Sequence, residues 1–91
     1  MATDVATIKY MLRIDDWSAV NDQQLIAVIA AAESEALQFI DAETLPESSE
    51  IAPAIALLVE IAIDTLTPEE MRVRRERAEA ILFPYREKLG I

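Results

Sequence analysis

Two groups of side chains have the types and spacing to do chemistry: the adjacent carboxylates Asp15 and Asp16, and the arginines Arg72, Arg74, Arg75 and Arg77. The first has the look of a metal or acid–base pair. A Ca²⁺ loop needs further oxygen ligands at fixed spacing, and none stand nearby, so neighbouring acids in a turn read as solvated or capping groups. The arginines are of the type that grips phosphate, but Glu69, Glu76 and Glu79 are interleaved with them. Glu70–Arg74, Arg72–Glu76 and Arg75–Glu79 fall at i,i+4, the spacing of ion pairs along one helix face. That dilutes any phosphate-binding stripe and argues against sequence-specific DNA reading. Elsewhere the means are missing. With no Cys and no His, there is no thiol nucleophile, imidazole base or transition-metal site of N and S ligands. A single Gly excludes a glycine-rich phosphate loop. Lys, Tyr and carboxylates remain but do not cluster. The sequence reads as that of a binding or structural protein and not of an enzyme, with no cofactor and no metal.

The scaffold that carries these side chains follows from composition. The chain has 91 residues, 53% hydrophobic and 27% charged, which suits one globular domain. Its formal net charge is −9, opposite to that of a free-standing phosphate binder. Met1 to Tyr10 lacks the basic start and apolar run of a signal peptide. The most apolar stretch, Ile51 to Leu66, is interrupted by Pro53, Glu60 and Asp64 and falls short of the roughly 20 residues of a membrane span. A soluble, membrane-free protein is expected, and the lack of Cys fits the cytosol. Ala and Ile dominate the apolar set and no stretch alternates polar and apolar, so the expected fold is all-α.

Four helices can be bounded, at about 4–13, 22–41, 50–66 and 68–82, in a single domain. Thr3 is placed to cap the first, which carries Val5, Ile8 and Leu12 on one face. Ile14 to Trp17 then reads as a turn with one aromatic anchor. The second helix repeats Leu25, Ile29, Ala32, Ala36 and Ile40 at helical steps. Ile26, Val28, Leu37 and Phe39 widen its apolar surface, and the small, weakly polar opposite face calls for a second packed neighbour. Ser48 or Ser49 is placed to cap the third helix, with Pro53 in its first turn. That helix is apolar nearly all round, the mark of a central element. In so small a domain, Leu57, Ile61 and Ile63 are candidates for contact with another subunit. Thr67-Pro68-Glu69-Glu70 is a capping box with proline at the first helical position.

The fourth helix has a thin apolar stripe of Met71, Ala78 and Leu82, which leaves little surface to hold it to its own core and favours a docking role. Residues 1–71 hold 2 basic and 14 acidic side chains, whereas residues 72–91 hold 6 basic and 3 acidic. The two parts attract each other or the complementary part of a neighbouring copy. The tail, residues 83–91, opens with Phe83-Pro84-Tyr85-Arg86, whose aromatic and Arg side chains are of the kind that anchors interfaces. Arg72, Arg75, Phe83, Pro84, Tyr85 and Arg86 are the candidate partner-binding set.

Four segments, in order, resemble the head-tail connector (adaptor) family of tailed bacteriophages. Tyr10-Met11-Leu12-Arg13-Ile14-Asp15 is similar to the family's Y-L-R-I-D opening. Asp22 followed by Leu25-Ile26-Ala27-Val28-Ile29-Ala30-Ala31-Ala32 is similar to its second helix. Leu45-Pro46, Ile51 and Ala54-Ile55-Ala56-Leu57-Leu58-Val59 resemble its third helix, and Leu82-Phe83-Pro84-Tyr85-Arg86 resembles its ending. The likeness spans almost the whole chain. Two departures stand out: the link between second and third helices, about Glu43 to Ser49, is shorter than in many members, and Ile61-Ala62-Ile63-Asp64 replaces aromatic residues late in the third helix.

The resemblance implies a ring-forming subunit, dodecameric in the virion, seated under the portal in the head–tail neck and made in the bacterial host cytoplasm. Such a ring extends the channel through which DNA passes as cargo, and meets a stopper or tail-completion protein. The partner-binding set named above would then dock on the portal. A different reading of the same acidity and amphipathic helices is a small helical regulator, antitoxin-like or anti-repressor-like, that binds one protein partner. A third, a packaging accessory that holds DNA through Arg72 to Arg77, predicts steeply salt-dependent binding.

Overall fold

A helix that is apolar on every side needs neighbours on every side, and the fold is arranged around that requirement. The computed structural model describes residues 4–12 and 22–86. Among them are α1 (Val5–Leu12), α2 (Asp22–Ile40), α3 (Ile51–Ile63) and α4 (Pro68–Leu82), followed by a 3₁₀ turn at Phe83–Tyr85. The protein is a small all-α bundle, with no strand among the described residues. α3 touches each of the other three helices, most extensively α4. The core is made by Ile8, the stripe Leu25, Ile29, Ala32, Ala36 and Ile40 from α2, residues 51–59 of α3 apart from Pro53 and Leu57, and Ala78 and Leu82 from α4. The α2 stripe is the one that the helical repeat dictates. Cα atoms span 47 × 30 × 18 Å, and helices pack with axes about 8–10 Å apart, so the shortest dimension holds two helix layers and not three.

Local chemistry sets the helix ends. Thr67 Oγ1 accepts the Glu70 N–H at 3.1 Å, and Glu70 Oε1 accepts the Thr67 N–H at 3.0 Å. This is the complete reciprocal box, with Pro68 at the first helical position. α1 differs from expectation. Its first turn is capped by Asp4, whose Oδ1 accepts the Thr7 N–H at 2.8 Å and whose carbonyl accepts Ile8 N–H at 3.1 Å; Thr3 lies outside the described residues. α3 has Glu50 as its N-cap with no side-chain capping bond, so neither Ser48 nor Ser49 caps it. Pro53 sits in the first turn, where no helical donor is lost.

α3 also stops earlier than its apolar pattern, at Ile63 and not Leu66. Asp64 is extended (φ −92°, ψ 154°). A carboxylate is unfavourable at the negative end of the helix dipole, and Pro68 holds Thr67 extended. α2 ends with Asp41 in the left-handed region (φ 58°) and with Ala42 N–H on the Leu37 carbonyl at 3.1 Å, the hydrogen bond of a Schellman ending.

Candidate interaction surfaces

Two interhelical arginine pairs correct the expectation for α4. Arg74 does not pair with the Glu70 carboxylate one turn away. Its Nε reaches Glu60 on α3 at 2.8 Å, with both side chains about a quarter exposed, while its Nη1 meets the Glu70 carbonyl at 3.4 Å. Arg75 pairs with Glu35 on α2 and not with Glu79. Only Arg72 behaves as an ordinary helix-face cation, bonded to Glu69 and, at 2.8 Å, to Glu76; these two carboxylates, Glu69 foremost, raise its pKa further. The attraction between the acidic body and the basic C-terminal part is thus met partly inside one chain. α4 does not lack a hold on its core: Ala78, Leu82, Arg74 and Arg75 fix it. Arg77 is the exception, exposed and without a partner among the described residues.

The C-terminal aromatic segment divides in two. Phe83 is 53% exposed and Pro84 is exposed. Tyr85 and Arg86 turn inward. Tyr85 Oη donates to Glu50 Oε2 at 3.0 Å and lies 2.7 Å from Ser48 Oγ. Its one proton being committed, Ser48 Oγ donates to Tyr85 and accepts the Glu50 N–H at 3.3 Å. The result is a closed relay that starts and ends on Glu50. Arg86 stacks its guanidinium over Phe39, 5.3 Å from the ring centroid, a cation–π contact, with its Nε buried and unbonded. Sequence reasoning missed Ser48, Glu35 and Glu60 as partners, because all three lie far along the chain from the groups they hold.

Two open surfaces remain. The outer face of α2, expected to have a packed neighbour, is exposed at Ile26, Ala27, Ala30 and Ala31. The other lies along α3. α1 and α4 both pack on α3 but their backbones do not approach each other, which leaves a slot of about 550 Å³. Pro53, Ala56, Leu57 and Glu60 line its floor, a stripe at i, i+3, i+4 and i+7 on one helix face. Met11 and Leu12 wall one side, Arg77 and Ile81 the other. Of the candidate subunit contacts, Leu57 lines the slot, while Ile61 and Ile63 are half-buried against the core. A larger hollow of about 650 Å³ at the end of α2 is lined by that helix and its following loop alone, including Asp41 and Glu43.

Asp15, Asp16 and Trp17 fall outside the described residues. Among the described residues no three His, Cys, Asp or Glu side chains come together as metal ligands, and no helix is long and apolar enough to cross a membrane. No protein-family model, curated protein or solved structure matches the chain.

Proposed function

We propose that this protein is a structural virion component, a head–tail connector subunit that forms a ring under the phage portal and extends the DNA channel. The observation that carries the reading is the pair of open apolar surfaces, the slot along α3 and the outer face of α2, on a subunit whose own core is otherwise closed. Unfilled helix faces of this kind suit repeated lateral packing around a ring. The ordered likeness of four sequence segments to the connector family points the same way. A net charge of −9 makes the wall of such a ring mainly repulsive, so that DNA slides through as cargo without sticking. Three of the described arginines on α4 are tied to carboxylates within the chain, which leaves little free positive charge for phosphates.

Portal docking falls to the side chains that face outward, Phe83 and Pro84 at the C-terminal end of α4, with exposed Arg72 about three turns away along the same helix. Tyr85 and Arg86 anchor that segment to the body, and Arg75 ties α4 to α2. A stopper or tail-completion protein occupies the opposite side of the ring. The test mixes the full chain with the portal ring encoded by the same genome and images the product by negative stain. A continuous ring with an open centre stacked on the portal is the expected result, and Phe83→Asp should weaken the stacking. Absence of portal binding, together with a compact dimer in solution, would refute the connector and favour the regulator.

A further inference from the structure

The slot along α3 is apolar over Pro53, Ala56 and Leu57 of its floor, ends at Glu60, and carries the charge of Arg77 at its edge. The Glu60 carboxylate is already held by Arg74, so Arg77, without a partner among the described residues, supplies a positive charge beside Leu57 and Ile81. A complementary occupant is a helix ridge with an aliphatic knob and a carboxylate one turn away. This chain displays one. Asp22, Ile26 and Ala30 stand at successive i+4 positions on α2 and are all exposed, Ile26 by 51%. Ala27 and Ala31 flank the ridge, so its backbone can come close. α2 contains Asp22, Glu33 and Glu35 and no basic residue.

We propose that the slot between α1 and α4 receives the Asp22–Ile26–Ala30 ridge of α2 from a second copy of the chain. Ile26 seats on Leu57 and Ala56, and Asp22 faces Arg77. Asp22 must leave its 3.2 Å pair with Lys9, a single contact whose carboxylate end is exposed to water. α2 contributes no residue to the slot, so the two surfaces differ and the contact is head-to-tail. Such contacts propagate from copy to copy and close into a ring when the rotation allows. The inference rests on the connector reading for ring closure, and it specifies which surface meets which.

The experiment uses the full chain and two surface variants, Arg77→Glu in the slot and Ile26→Glu on the ridge, with circular dichroism to verify folding. Light scattering over a concentration series reads the mass of each and of their equimolar mixture. Wild type should grow with concentration, and each variant alone should self-associate at least roughly tenfold more weakly. The mixture should form a one-to-one complex and stop. In it, the intact slot of Ile26→Glu takes the intact ridge of Arg77→Glu, and the two altered surfaces left over repel. A monomeric wild type, a closed two-fold dimer, variants that assemble like wild type, or a mixture that stays monomeric would each overturn the proposal. Portal binding separates the two readings. Wild type that stacks on the portal while both variants assemble unchanged overturns this contact alone. Variants that behave as expected, with no portal binding by wild type, overturn the connector alone.

Discussion

Tyr85→Phe tests whether the C-terminal segment is part of the folded subunit. The substitution keeps the ring and its packing and deletes one hydroxyl. That hydroxyl joins Ser48 at 2.7 Å and the Glu50 carboxylate at 3.0 Å. A neutral hydrogen bond contributes about 0.5–1.5 kcal/mol net, and a bond to a charged group about 1.5–3 kcal/mol when shielded. Glu50 is exposed, so water recovers most of its loss. The sum comes to roughly 1–2 kcal/mol. A chain of 91 residues has a total stability of about 5–14 kcal/mol, so the change is large enough to measure. Urea melts should show a lower midpoint with an unchanged slope. Ser48→Ala breaks the same relay and should cost a similar amount. The double variant should then lose less than the two single losses combined, with a coupling of about 0.5–1.5 kcal/mol. Losses below about 0.3 kcal/mol, or strict additivity, would refute the relay and leave the tail free of the body.

Three further outcomes follow from the packing and the caps. Ile55→Ala, at the fully buried centre of α3, removes three carbons and should destabilise by about 3–4 kcal/mol in the same urea assay; a loss under about 1 kcal/mol would mean α3 is not central. Asp4 and Glu70 are both held below their ordinary values near 3.8 and 4.5, chiefly by the backbone N–H of Thr7 for Asp4 and by the Thr67 N–H for Glu70. Depressed carboxyls stabilise the fold above those ordinary values, and that contribution is lost as pH falls through the lower folded values. Helicity by circular dichroism should therefore fall in acid below about pH 4.5, and Glu70→Gln, which removes the titrating group, should shrink the step. Asp64→Asn removes a negative charge from the C-cap of α3, at the negative end of its dipole. It should stabilise by roughly 0.5 kcal/mol, less at high salt, and an unchanged midpoint at low salt would count against the charge argument.

Local signals and tertiary ones divide cleanly in this chain. The all-α class, the α2 core stripe from Leu25 to Ile40, the Thr67–Glu70 box and the central place of α3 were all legible in one dimension. Each depends on residues within a turn or two of one another, where helix period and cap chemistry leave few choices. The partners of Arg74 and Arg75 were set by how the helices pack. Both had a glutamate available four residues away as well as one on another helix, and Glu60 and Glu35 won because packing of α4 brings them within reach as it buries Ala78 and Leu82. The Tyr85 relay closes over 37 residues, beyond any local pattern. The slot along α3 is likewise invisible in one dimension. It exists because α1 is short and α4 packs on α3 without approaching α1, so the face that reads as core in Leu57 and Ala56 is left open at one edge. Periodicity identifies a face that must be covered; whether the same chain or another copy covers it depends on how the helices are placed in space.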